Sequence, residues 1–175
     1  AGLRSFNRDM PEEINRLVTD HVSTLLCCPT QRAVDQLAAE GIEEGVTLTG
    51  DVMLDAFEHD RSLAWRKPSV LQGLGLSAGE YGLLTLHRPA NTDDREMFAL
   101  RMAQVATVNA AVVWPTHPRS VPALKLQGGP PSNVRLIEPV GRLEMIRLLE
   151  GASAVITDSG GLQKEAFWAK VPCFT

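Results

Sequence analysis

Short apolar runs alternate with segments of helical spacing along this chain. Residues 11–22, PEEINRLVTDHV, open with Pro11, a favoured first helical residue, and Ile14, Leu17, Val18 and His21 recur at helical spacing. TLLCCP (24–29) reads as a short apolar strand stopped by Pro29. Residues 30–41 predict a helix with Thr30 as N-cap, Gly41 as its stop, and Val34 and Leu37 facing inward. GVTLTG (45–50) predicts a second strand, and DVMLDAFEHD a helix capped by Gly50 or Asp51. Residues 61–79 are polar and dotted with glycine, with weaker periodicity, which marks an inter-domain crossing.

The alternation then resumes. Strands are predicted over 81–87, 110–115, 133–139 and 154–158, with helices from about Asp93, over GRLEMIRLLEGA and over 160–170. RSVPALKLQ reads as a short helix or an irregular turn, and KVPCFT as the opening of a strand. Short apolar strands separated by helices are the pattern of βαβ units, so the expected fold class is α/β with parallel sheets.

Charge and cysteine change this picture little. The 175 residues carry 17 Lys+Arg against 21 Asp+Glu, a net charge of −4, which argues against a nucleic acid or a membrane surface as partner. No apolar run approaches the ~20 residues that span a bilayer, and no signal-peptide pattern opens the sequence. Cys27, Cys28 and Cys173 show no metal-ligand spacing and are expected as core filler in a reducing, cytoplasmic setting. An Ala at position 1 and an unfinished strand at the end lead us to expect a fragment of a longer protein.

In open parallel sheets ligands bind at the carboxyl ends of strands. That rule selects HRPANTDD, THPRS, EPVGR and DSGG, four clusters expected along one sheet edge. In DSGG, Gly160 and Gly161 permit close backbone approach and unusual φ, and the free N–H groups of the following helix favour an anion. Ser159 adds a hydroxyl donor, and Glu165, one turn on, can accept from a sugar hydroxyl. A Ser/Gly cap that only turns the chain fits the same residues. Arg88 could hold a diphosphate bidentately and His87 could serve as phosphate partner or proton carrier, or the two could be a cap and a surface salt bridge. His117 meets the same argument more weakly. Glu12 and Arg16 are one turn apart and could simply pair, as could Glu13 and Arg16. His21 reads as an interior histidine, His59 as a surface one, and Trp65, Trp114 and Trp168 as packing.

Taken together, AGLRS, PEEINR, GDVMLDA, LHRPANTDD, PTHPR, IEPV and TDSGGLQKEA resemble the non-hydrolysing UDP-N-acetylglucosamine 2-epimerase family, in its order and over almost the whole chain. The resemblance implies a glycosyltransferase-B type fold, two Rossmann-like domains with parallel sheets facing a cleft for a UDP-sugar. Residues 1–60 would end the first domain, 61–79 cross between domains, and 80–175 begin the second, UDP-binding one. It implies inversion at C2 of the sugar through elimination of UDP to a 2-acetamidoglucal and re-addition on the other face. Glu12 and His87 are then catalytic, Glu12 flanking the sugar and His87 contacting the phosphates. Arg16, Arg88, His117, Ser159, Gly160, Gly161 and Glu165 bind substrate, with Glu165 on the ribose hydroxyls. The implied partner is a UDP-sugar, with no metal and no cofactor, and the full-length protein is expected to be a homodimer.

Departures accompany the match. Ala90 stands where many bacterial members have a glutamate that helps a regulatory nucleotide-sugar site. Lys164 replaces one of two consecutive acids, and Arg142 stands where an aromatic residue is frequent, on the uracil side. The family's upstream Gly-Thr-Arg-Pro-Glu loop and catalytic aspartate are not in the sequence, so these residues alone are expected not to turn over substrate. Alternatives are a 2-epimerase of a UDP-diacetamido-uronic acid, a hydrolysing UDP-GlcNAc 2-epimerase, a glycosyltransferase of the same fold, or a nucleotide-sugar-binding remnant.

Overall fold

The computed structural model describes residues 1–66 and 69–175, in two compact units, Ala1–Ala56 and Phe57–Thr175. The first unit holds α1 (Pro11–Val22), β1 (Leu26–Cys28), α2 (Gln31–Ala39) and β2 (Val46–Leu48). β1 and β2 pair in parallel, Leu26 opposite Val46 and Cys28 opposite Leu48. Leu26, Cys28, Ala33 and Leu37 form its small core. Thr30 caps α2 as expected, its hydroxyl accepting from the Ala33 N–H at 3.3 Å.

Two expectations fail in this unit. Cys27 is exposed rather than core, because side chains alternate across a strand and its neighbours Leu26 and Cys28 take the inner face. His21 is also exposed, its Nδ1 2.9 Å from the Leu17 carbonyl. The buried residues of α1 are Glu13 and Asp20, while Ile14, Val18 and Val22 face outward. Backbone demand explains this. The N–H groups of Ser5 and Phe6 donate to Glu13 at 2.9 Å each, and Gly2 N–H to Asp20 at 2.9 Å. Arg4, almost fully buried, joins Asp20 at 2.7 Å and Glu40 at 2.7 Å.

α3 (Val52–Ala64) leads into the second unit, which continues with α4 (Val70–Gly73), β3 (Tyr81–Thr85), α5 (Pro89–Thr92), α6 (Arg95–Ala106), β4 (Ala111–Pro115) and α7 (Ser120–Gln127). It ends with β5 (Val134–Ile137), α8 (Arg142–Gly151), β6 (Ala154–Thr157), α9 (Gly160–Trp168) and β7 (Cys173–Phe174). The segment 61–79 therefore carries the end of one helix and a further helical turn, with positions 67 and 68 outside the described residues. RSVPALKLQ resolves as a helix: Pro122 falls in its first turn, where a missing N–H costs nothing, and Gly128 stops it at φ 86°.

The five strands are all parallel in the order β5-β4-β3-β6-β7. Leu83, Val113 and Val155 lie in register and turn to one face, against Ile146, Leu148, Leu149 and Leu162. Leu84, Val112 and Trp114 turn to the other, against Phe98, Met102 and Val105. A sheet buried on both faces explains why YGLLT and AVVWP read as continuous apolar runs. Chain order runs outward from β3 first to β4 and β5, then returns to β6 and β7, so the order reverses between β3 and β6.

Candidate functional site

The reversal point is where a ligand crevice opens in such a sheet. Here the two strand ends are tied together. Thr85 and Thr157, opposite each other in register, share a 2.6 Å hydroxyl contact. One residue beyond, Asp158 turns its nearly buried carboxylate back to the β3 loop. It accepts from His87 N–H at 3.0 Å, Arg88 N–H at 2.8 Å and Asn91 Nδ2 at 3.1 Å, and lies 2.9 Å from His87 Nδ1. A carboxylate can only accept, so His87 carries a proton on Nδ1 and turns Nε2 away from Asp158.

His117, at the end of β4, is set the other way. Its Nδ1 accepts from Arg119 N–H at 3.2 Å, which leaves Nε2 as the protonated nitrogen of the neutral ring. The two imidazoles lie 5.5 Å apart between centroids. Ser120 Oγ donates to the Leu86 carbonyl and fastens the start of α7 to the β3 loop.

α9 begins at the reversal. Ser159 caps it, accepting from Leu162 N–H at 3.3 Å. Neither Gly160 nor Gly161 has a positive φ, contrary to the unusual backbone expected of them, because both are already helical. The missing side chain matters instead: a Cβ on Gly160 would meet only Arg88 Nη2, at 3.9 Å. A guanidinium beside a helix N-terminus brings like charges together, and an anion between them would relieve both.

Beside α9 lies a cavity of about 420 Å³. His87, His117, Ser159, Gly161 and Glu165 line it, with Arg142 and the apolar Pro139, Val140 and Met145. Glu165 is buried and is held by Arg142 Nη1, while Arg142 Nε donates to Asp60 at 3.1 Å. Burial works against the Arg142 charge, but the bonds to Glu165 and then Asp60 outweigh it and hold its pKa above the ordinary value. A larger cavity, about 610 Å³, lies on the α6 side and is walled by Val105, Val108, Ile156 and Phe174.

The structure thus gathers His87, His117, Ser159, Gly161 and Glu165 around one space, with Arg88 and Gly160 next to it. Glu12 and Arg16 belong to the first unit. They do not pair with each other: Arg16 Nη2 binds Glu13 at 2.5 Å, and Glu12 is exposed. Glu13 is held down at about 2, chiefly by the Ser5 N–H, against the opposing effect of burial, with help from Arg16 and the Phe6 N–H. Sequence reasoning did not name Asp158 as a site residue, although its position directly after a strand was the signal; Arg142 it placed in the EPVGR cluster and on the uracil side, without giving it a role. Among the described residues no group of His, Cys, Asp and Glu is arranged to hold a metal, and no helix is long and apolar enough to cross a membrane.

A strand order reversing beside a Gly-Gly helix start, with histidines and an arginine converging there, defines a Rossmann-like α/β arrangement suited to a phosphorylated ligand. The chain belongs to the UDP-N-acetylglucosamine 2-epimerase family, whose description matches residues 1–175. It is 43% identical to a UDP-N-acetylglucosamine 2-epimerase homolog of Methanococcus maripaludis, over 100% of this chain and 51% of that protein. It is 44% identical to the UDP-2,3-diacetamido-2,3-dideoxy-D-glucuronate 2-epimerase of Pseudomonas aeruginosa, over 100% of this chain and 49% of that protein. Among solved structures it is similar to the Methanocaldococcus jannaschii UDP-GlcNAc 2-epimerase in complex with UDP-GlcNAc and UDP, with a TM-score of 0.86 and 38% identity over 99% of this chain and 51% of that one. The chain spans about half the length of the curated relatives it matches. Its fold is of the same glycosyltransferase-B type as these epimerases.

Proposed function

We propose that the full-length protein interconverts UDP-N-acetylglucosamine and UDP-N-acetylmannosamine. The observation that carries the reading is the convergence of the α9 N-terminus with His87 and Arg88 at the sheet reversal, in a family of this name. The C2 proton is not acidic, so stabilising the departing diphosphate must carry much of the barrier. The N–H groups of Gly160 and Gly161, Ser159, Arg88 and His117 hold that diphosphate, and Glu165 takes the ribose hydroxyls. Glu12, with Arg16 on the same helix, flanks the sugar. A base removes the C2 proton, the C2–H electron pair forms the C1–C2 double bond, and the C1–O pair leaves with UDP. His87, its Nδ1 proton held by Asp158, accepts a proton at Nε2 and as the resulting cation meets the charge that develops on the phosphate oxygen. Protonation of C2 on the opposite face and return of UDP to C1 complete the inversion.

In this reading the first unit ends one Rossmann-like domain and the second begins the UDP-binding one. No redox cofactor is called for, and the full-length protein is a cytoplasmic homodimer. A 2-epimerase acting on a UDP-diacetamido-uronic acid is the second reading, favoured by the 44% identity to the Pseudomonas enzyme. The test incubates the full-length protein with UDP-GlcNAc in D2O and follows the C2 proton and the phosphorus signals by NMR. Loss of the C2 proton with appearance of UDP-ManNAc supports the proposal. Intact substrate with no exchange overturns it, and the uronic-acid analogue is then tried. Release of UDP with free N-acetylmannosamine means a hydrolysing enzyme.

A further inference from the structure

The loops that carry His87 and His117 leave neighbouring strands, but the ladder between those strands stops short of them. Among the described residues, β3 and β4 pair only from Tyr81–Ala111 to Leu83–Val113. Beyond that point β4 turns its bonds to β5, and Thr116 N–H donates to the Ile137 carbonyl at 3.0 Å. On its other side β3 stays paired with β6 as far as Thr85 and Thr157. His87 is then pinned to Asp158 through its N–H and its ring. On the side toward β4, a buried carbonyl past Leu83 needs a donor from elsewhere.

Ser120 supplies it. This residue is fully buried at the first position of α7, and its hydroxyl donates to the carbonyl of Leu86, the residue before His87. Its own N–H donates to the His117 carbonyl at 2.9 Å. One small residue thus joins the backbone beside one histidine to the backbone of the other. A second link between these loops, Arg119 Nη1 to Asp93 at 3.4 Å, joins two exposed side chains and holds little. With His87 fixed by Asp158, the Ser120 hydroxyl sets where His117 stands relative to it, 5.5 Å between ring centroids. We infer that Ser120 is a positioning residue, holding His117 beside His87 so that both rings meet the diphosphate as charge develops on it. Donors set in advance act on charge that appears in the transition state, so a displaced ring slows turnover more than it weakens binding. The catalytic part of this inference rests on the proposed function; the placement of the two rings does not.

The test compares the full-length protein with Ser120→Ala, which removes the hydroxyl and keeps a good helix former. In epimerisation of UDP-GlcNAc, kcat is expected to fall about tenfold with KM within threefold, less than the ~100-fold that an ångström of misplacement costs. NMR of labelled histidine gives the second readout. The proton NOE between the two imidazoles, present in the unaltered protein, disappears in the variant, while His87 keeps its Nδ1 proton toward Asp158. If Ser120→Ala does not fold, Ser120→Cys puts a weak donor in the same place and carries both readouts, with kcat falling at least threefold. A variant that unfolds more easily yet keeps kcat within threefold, or keeps the NOE, overturns the inference, because Ser120 then only satisfies a buried carbonyl. Failure of the unaltered protein to turn over UDP-GlcNAc is a different result: it sinks the functional reading, and the NOE alone then decides whether Ser120 places His117.

Discussion

Asp158→Asn isolates what the carboxylate at the sheet reversal does. The substitution keeps one oxygen and turns the other into an NH2 group. With its oxygen in the Oδ2 position, the introduced amide would still accept from His87 N–H, Arg88 N–H and Asn91 Nδ2, which lie at 3.0, 2.8 and 3.1 Å from that oxygen of Asp158. Its NH2 would then face His87 Nδ1, which is 2.9 Å from Oδ1. An amide nitrogen can only donate, so His87 must move its proton to Nε2, and the ring edge turned away from residue 158 changes from acceptor to donor. Three bonds to a charged acceptor become neutral ones, a difference of about 1 kcal/mol each, so the loss of stability is about 3 kcal/mol. The rate falls roughly 100-fold if His87 exchanges protons with the substrate. Urea unfolding reads the first effect, C2 hydrogen exchange of UDP-GlcNAc the second, and nitrogen NMR of the histidine rings the tautomer. A variant with the proton of His87 on Nε2 and turnover within threefold of the original would refute the argument.

Gly160→Ala should separate fold from function. Its Cβ has room and α9 gains a better helix former, so the unfolding midpoint stays or rises, while UDP binds at least tenfold more weakly because the methyl stands where a diphosphate approaches; unchanged UDP affinity would count against the site. Arg4→Met strands the buried carboxylate of Asp20 and that of Glu40, and should cost about 3–5 kcal/mol in urea unfolding; a loss below about 1 kcal/mol would show those charges to be solvated. Glu13 has a folded pKa of about 2 against an ordinary 4.5, so the stability it contributes is complete above 4.5 and disappears as pH falls toward 2. Glu13→Gln should therefore be less stable at neutral pH and show a shallower acid transition across that window, and an identical transition would refute the assignment.

Much of this was legible in the sequence, for a reason that can be stated. Parallel strands buried on both faces must be apolar runs, and their carboxyl ends must be polar, so His87, His117 and Ser159 could be found by position alone. Thr30 was legible because a cap is a local bond. Cys27 could have been placed outward from the period of two, since it lies between Leu26 and Cys28 in one strand. The fold of α7 was left open because Pro122 reads as a breaker until its position in the first turn is known.

What stayed hidden are contacts between residues far apart in the chain. Asp158 reaches donors 71 residues away, and nothing local distinguishes it from any acid that ends a strand. α1 shows the same limit in a sharper form. Its apolar stripe at Ile14 and Val18 points outward, whereas Glu13 and Asp20 are buried. Periodicity assumes that burial follows hydrophobicity, but a carboxylate that accepts two backbone N–H groups and an arginine is also stable inside. The same physics separates Glu12 from Glu13. Adjacent acids at the start of one helix look alike in sequence, yet Glu13 is committed to the loop and to Arg16, while Glu12 stays exposed. A residue that supports the backbone is not at liberty to exchange a proton with a substrate. Of the two, Glu12 is therefore the one that fits the proposed role beside the sugar, and Arg16, its partner in the simplest reading of the spacing, is taken by Glu13 instead.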